Sequence, residues 1–117
     1  MQYTISTNDA KKAINTIFGC VKKGEDLQKV GIDSWIVQKG TSGNEHLVHT
    51  PQQWSDKGYI DLIANSDNNK ISVKFNYWGD FPQDQRNVVD EKYILGRFTE
   101  LLLVHFDAQY NKVNIDK

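Results

Sequence analysis

The segment Lys70-Ile71-Ser72-Val73-Lys74-Phe75-Asn76-Tyr77 decides the fold class. Ile71, Val73, Phe75 and Tyr77 alternate with Ser72, Lys74 and Asn76. Successive side chains on a strand point to opposite faces, so the pattern predicts a strand over about 70–77 with one buried and one wet face. Just upstream, Asn65-Ser66-Asp67-Asn68-Asn69 is a turn of residues that tolerate left-handed backbone. Before it, Gly58-Tyr59-Ile60-Asp61-Leu62-Ile63-Ala64 reads as a strand over about 58–64. Tyr59 and Ile63 there point opposite to Ile60, Leu62 and Ala64. That strand is expected to be covered on both sides, which leaves a three-layer arrangement open beside a two-layer one.

Further upstream, Ser34-Trp35-Ile36-Val37-Gln38-Lys39 is rich in aromatic and β-branched residues and predicts a strand over about 33–39. Gly40-Thr41-Ser42-Gly43-Asn44 reverses the chain, and Glu45-His46-Leu47-Val48-His49 returns as a strand over about 45–49. Pro51 stops it, because proline cannot donate to a sheet ladder. Gln52 to Lys57 reads as a loop carrying Trp54. Connections this short favour an antiparallel meander, since parallel crossovers need a dozen or more residues.

Helices flank these strands. Ala10, Ala13, Ile14, Ile17, Phe18 and Val21 share one face of a helix over about 7–22. Ser6 or Thr7 is expected to cap it, with Asp9 standing where a capping box has glutamate. Lys22 and Lys23 suit the negative end of its dipole, and Gly24 suits its stop. Gly19 costs about 1 kcal/mol against alanine and points to close approach of another element. Residues 25–32 read as a connector. Downstream, 78–85 is a loop, and Asn87 with Asp90 forms a second capping pattern. Val89, Tyr93, Ile94, Phe98, Leu101, Leu102, His105 and Phe106 then fill a wide face of a helix over about 88–107. Residues 108–117 are polar. The reading is one α+β domain over 1–117: helix, four-stranded antiparallel sheet, helix, with both helices on one sheet face.

A chain of 117 residues is the size of one domain. With 38% hydrophobic and 25% charged residues it is not a disordered chain. The longest apolar run, Leu101 to Val104, is far short of the roughly 18 residues a membrane span needs. Met1 to Thr7 lacks a basic stretch followed by an apolar one, so no secretory leader is expected. A single cysteine, Cys20, fits a reducing compartment, and a cytoplasmic location is expected. The near balance of 14 basic and 15 acidic residues does not suggest direct nucleic-acid binding.

Few residues suggest chemistry. His46 and His49, with Cys20 and His105, are the only metal-type set. Three-residue spacing on a strand sends His46 and His49 to opposite faces, and no Cys-x-x-Cys or His-Glu-x-x-His pattern is present. No metal or cofactor is therefore expected. Two imidazoles and a lysine, Lys39 or Lys74, are also the parts of a metal-independent nuclease, and this is the catalytic alternative. Cys20 sits toward a helix C-terminus, where the dipole disfavours a thiolate; Lys22 and Lys23 offset that only in part, so a structural thiol is expected. Gly40-Thr41-Ser42-Gly43 lacks phosphate-loop spacing, and Asp67-Asn68-Asn69 lacks the glycine and glutamate of a calcium loop.

The remaining feature is aromatic and acidic. Trp54, Trp78 and Phe81 fall in loops or at strand ends, beside Asp80 and Asp84. Between residues 76 and 107 three basic residues face six acidic ones, whereas residues 1–39 carry six lysines against four acids. Aromatic anchors beside carboxylates suit an interface with a basic protein. In overall plan the chain resembles small bacterial immunity proteins of contact-dependent inhibition systems. That resemblance implies a cytoplasmic, non-catalytic protein that neutralises a toxin, such as a nuclease, by binding it directly. The residues expected to contact such a partner are Trp78, Asp80, Phe81, Asp84, Asp90 and Glu91. A monomer or weak dimer is expected. A small-ligand or oligomerisation module is the third reading, in which the doubly apolar 58–64 strand covers a pocket or a subunit contact.

Overall fold

The computed structural model describes residues 2–27, 34–39, 44–105 and 112–114, with side chains for 2–23, 34–39 and 44–103. Strands β1 (Gln2–Ser6), β2 (Trp35–Lys39), β3 (Glu45–His49), β4 (Gly58–Ala64), β5 (Lys70–Tyr77) and β6 (Lys112–Asn114) form one sheet. Its order is β2-β3-β4-β5-β1-β6, and every neighbouring pair is antiparallel. Helix α1 (Ala10–Leu27), the one-turn helix α2 (Gln52–Ser55) and helix α3 (Val88–His105) complete the fold. Among the described residues no helix is long and apolar enough to cross a membrane.

The α+β class and the β2–β5 meander agree with the sequence reading, and two strands are additional. In β1, Tyr3 and Ile5 point inward and are 3% and 1% exposed, set opposite Val73 and Ile71 of β5. Ser6 therefore ends a strand. The pairings make β1 parallel to β2, and such strands need a long crossover. Helix α1 provides it. The gap is four strand spacings, about 19 Å at ~4.8 Å each. The 18 residues of α1 span about 27 Å at 1.5 Å per residue, enough to cross diagonally. Helix α3 makes the second crossover, from β5 to β6.

The cap of α1 is Asp9, whose Oδ1 accepts the Lys12 amide at 3.1 Å. The β4–β5 turn completes the cap. Asn68, at φ 58°, accepts the Lys11 amide on Oδ1 at 2.8 Å and the Ala10 amide on its carbonyl at 2.9 Å. The Asn68 side-chain amide also donates to Asp9 Oδ1 at 2.8 Å, and this holds the Asp9 carboxyl below its usual range. The helix runs past Gly24 to Leu27. Gly19 is not a point of close approach, since a Cβ there would meet nothing within 4 Å.

Helix α3 starts as the sequence indicates. Asn87 Oδ1 accepts the Asp90 amide at 2.9 Å, and the Asn87 side-chain amide donates to Asp90 Oδ2 at 2.9 Å. The Tyr77 hydroxyl accepts the Asn87 amide and donates to its carbonyl, tying the helix start to the end of β5. The buried stripe is Ile94, Leu95, Phe98, Leu101 and Leu102; Val89 is 71% exposed and Tyr93 44%. Ala10, Ala13, Ile17 and Val21 of α1 join that stripe, with Trp35, Leu47, Ile60, Val73 and Phe75, in one core. Each large side chain so buried contributes roughly 1.5–3 kcal/mol. Trp35 meets Phe98 edge-on at 5.7 Å, joining the β2 edge to α3.

Both helices thus cover one face of the sheet, and the fold has two layers. The strand buried on both sides is β3, not β4: Leu47 and His49 point inward, His46 and Val48 outward, and all four are at most 8% exposed. On β4, Ile63 is 52% exposed. Residues 25–27 of the expected connector belong to α1; the rest of it, 28–32, with the strand start at Asp33, the turn at Gly40–Gly43, the helix end at Phe106 and Asp107, and the tail apart from 112–114, lie outside the described residues.

Candidate functional site

The outer face of the sheet holds a concavity of about 800 Å³. Strand register builds it. Leu47 pairs with Ile60, which sets His46 of β3 across from Asp61 of β4. Asp61 in turn faces Lys74, and Tyr59 faces Asn76, on β5. Directly opposed side chains on one face touch. His46 Nδ1 meets Asp61 Oδ1 in a short contact, and the Asn76 side-chain amide donates to Asp61 Oδ2 at 3.0 Å. The Asp61 carboxylate therefore fixes the imidazole, and Asn76 fixes the carboxylate.

Three rings form the floor. His46 lies 4.2 Å from Tyr59, and Tyr59 lies 4.6 Å from Trp78, with the planes tilted by 39° and 41°. The Trp78 indole donates to the Ser55 carbonyl at 2.8 Å. Burial, and secondarily the charge of Asp61, push the Tyr59 hydroxyl above its usual pKa. Asp56 and Asp80 stand on the rim and are exposed. Among the described residues the lining thus holds three carboxylates and no lysine or arginine. Lys74 is the nearest cation by register and points outward to solvent from the neighbouring strand.

Strand β4 runs on past the start of β3, and a second hollow of about 520 Å³ opens there beside α1. Ile14, Phe18 and Lys22 of α1 line it with Leu62 and Ile63. His46, Asp61 and Asn44 border both hollows. Lys22 reaches Glu45 at 3.0 Å.

The loop after β5 is fixed by Arg86. Its Nη2 donates to the carbonyls of Trp78 at 3.3 Å and Phe81 at 2.9 Å, and its guanidinium lies over the Tyr77 ring at 5.2 Å. Its Nε is buried without a partner. Phe81 stacks on the same Tyr77 ring at 5.2 Å and 14°.

Of the six residues the sequence proposes for partner contact, Trp78 and Asp80 line the outer concavity. Phe81 is half-buried against Tyr77, and Asp84 is exposed on the adjoining 3-10 turn, outside the lining. Asp90 turns inward instead. It is 9% exposed and engages Lys57 Nζ at 2.8 Å as well as Asn87. It is thus committed to anchoring α3. Lys57 also lies over Trp54 at 4.8 Å, and Trp54 stacks on Tyr93 at 4.3 Å, so that corner clamps α2 to α3. Glu91 is half-buried in the first turn of α3, away from the concavity.

His46 and His49 do not converge. His46 is outward; His49 is inward, 4% exposed, packed on Trp35 at 4.7 Å, with Nδ1 2.9 Å from the Ser34 carbonyl. Burial, partly opposed by that hydrogen bond, holds the His49 pKa below its usual value. The two imidazoles cannot act as acid and base on one phosphate. The side chain of His105 is outside the described part of the structure. Cys20 is a partly buried free thiol against the core. Among the described residues no group of three or more His, Cys, Asp or Glu is placed to hold a metal ion.

Tyr59, Asp61, Asn76 and His46 were not singled out together by the sequence. All have outward parity on their strands, but only the register, which the sequence leaves free, sets them side by side. Comparison with protein-family models, with curated proteins and with solved structures gives no match.

Proposed function

We propose that the protein is a binding protein that neutralises a basic toxin, such as a nuclease, by docking it on the outer sheet face. One observation carries this reading. The outward sheet face, bordered by Ser55 of α2, presents an aromatic floor ringed by Asp56, Asp61 and Asp80. Rigid aromatics give contact area at small entropic cost, and carboxylates steer a cationic partner toward them. Trp78 and Asp80 continue from this floor onto the Arg86-braced loop, which ends at the exposed Asp84. A pre-formed surface of this kind loses little entropy on binding.

The same charges weigh against the nuclease alternative. A phosphodiester approaching the imidazole of His46 would meet three carboxylates, and His49 lies behind the sheet. The test is to look immediately upstream for a gene whose large secreted product ends in a toxic domain, and to assay capture of that domain together with co-expression. Stoichiometric capture and restored growth are expected. Absence of both, in folded protein, would remove the reading. Cleavage of RNA by the purified protein that is lost in His46→Ala would replace it with the catalytic one.

A further inference from the structure

We infer that the outer concavity is a receptor for one arginine side chain of the protein partner, a step that rests on the docking reading above and names its central contact. The argument starts from the unused acceptor capacity of Asp61. A carboxylate has about four lone-pair positions, and here one on each oxygen is taken, by His46 and by Asn76. One position on each oxygen is left. That is the pattern a planar guanidinium fills with two parallel N–H groups.

The floor fits the same group. Tyr59 and Trp78, half-buried, line the concavity with ring surface that their packing on each other and on His46 leaves partly open. A guanidinium stacks on such faces and gives up its hydration more readily than an ammonium. Asp56 and Asp80 on the rim supply the charge that draws the cation in, and among the described residues neither forms a salt bridge. Lys74 faces Asp61 by register but is exposed, and among the described residues it forms no salt bridge with that carboxylate. A volume of about 800 Å³ admits the whole side chain with its backbone at the mouth.

The test uses the full chain and three small probes: N-acetyl-arginine amide, its neutral citrulline analogue and N-acetyl-lysine amide. Titration is followed by NMR at the Trp78 indole N–H and the Tyr59 amide. The arginine probe is expected to give saturable shifts with a dissociation constant on the order of 1 mM, as suits one isolated side chain. Citrulline should give none, and lysine should bind about fivefold more weakly. Asp61→Asn and Asp80→Asn should each weaken arginine binding about threefold or more, whereas Asp67→Asn, in the β4–β5 turn, should not. Asp80 is exposed, so Asp80→Asn keeps the test open if Asp61→Asn does not fold. No saturable shift, or citrulline or lysine matching arginine, would overturn the assignment. Failure of the two readings can be told apart. Arginine binding without toxin capture would refute the toxin reading and leave the receptor. A captured toxin indifferent to both Asp variants and to each of its own Arg→Ala changes would refute the receptor alone.

Discussion

The two faces of the sheet are made from the same strands and do opposite things. The inner face is closed: Phe98, Leu102 and Ile17 from two helices lie on Leu47, Ile60 and Val73, all at most 1% exposed. The outer face has two half-buried rings, Tyr59 and Trp78, packed on the buried His46, and a carboxylate held by polar neighbours. The difference is one of satisfied needs. Apolar inner side chains have found their cover, whereas the outer rings and acids are oriented but only partly covered. Orientation without full cover is what separates the proposed docking face from the core.

The sharpest way to break this contrast is to truncate one ring on each face. Phe98→Ala should cost about 3–5 kcal/mol in urea denaturation, as for a fully buried phenylalanine. Trp78→Ala should cost only about 1–2 kcal/mol, because part of its ring is already in water and it loses chiefly one hydrogen bond. Equal losses would make the outer stack a second core and remove the docking floor. Gly58→Ala belongs with the large effects. Its Cβ would lie 2.1 Å from the Asn76 carbonyl oxygen and 2.8 Å from the Phe75 ring, so β4 and β5 must part. A loss of about 1–3 kcal/mol or more is expected, with disturbance of the Asn76–Asp61 contact.

A pair of acids gives the next comparison. Asp90→Ala removes the partner of Lys57 and half of the α3 cap, and should cost about 2 kcal/mol. Asp80→Ala, on the open rim, should change stability by less than about 0.5 kcal/mol while weakening partner binding. If Asp80 proved as costly as Asp90, the rim would be structural.

These pairs also show what could be read before the structure. Periodicity is local, so the 58–64 and 70–77 strands, the inward face of α1 and the Asn87–Asp90 cap were legible. Strand β1 was hidden by its position: Ser6 and Asp9 make a cap pattern that competes with the Tyr3 and Ile5 alternation, and only pairing with β5 decides between them. Part of the cap of α1 comes from Asn68, 57 residues away from the Lys11 amide it accepts. No spacing rule reaches that far. The site was half legible for the same reason. Trp78 and Asp80 are neighbours in sequence, but His46, Asp61 and Asn76 meet only through register. Asp90 misled because an acid at a helix start suits both a cap and a surface.

The inner imidazole offers a pH test. The His49 pKa is held low by burial, and nearby Arg97 lowers it further, while the Ser34 carbonyl and Glu100 oppose this. Folded His49 therefore binds its proton less readily than unfolded His49, whose pKa is about 6.5. The stabilisation is complete above about pH 6.5 and is lost as pH falls from there through the lower folded value. Denaturation midpoints should drop on acidification over that window, and His49→Gln should flatten the dependence. An unchanged slope in His49→Gln would place the acid sensitivity elsewhere.

The smallest effect should have the opposite sign. Gly19 lies on the exposed side of α1, at the border of the second hollow, and nothing within 4 Å opposes a Cβ. Glycine in a helix interior sacrifices more backbone freedom on folding than alanine does. Gly19→Ala should therefore stabilise the protein by about 0.5–1 kcal/mol. Its effect on binding sharpens the comparison of the two hollows that share His46 and Asp61. If the partner uses the outer concavity alone, Gly19→Ala raises the denaturation midpoint and leaves affinity unchanged. If affinity falls while stability rises, the added methyl group is in the way of the partner, and the docking surface wraps from the outer face around the end of β4 onto α1.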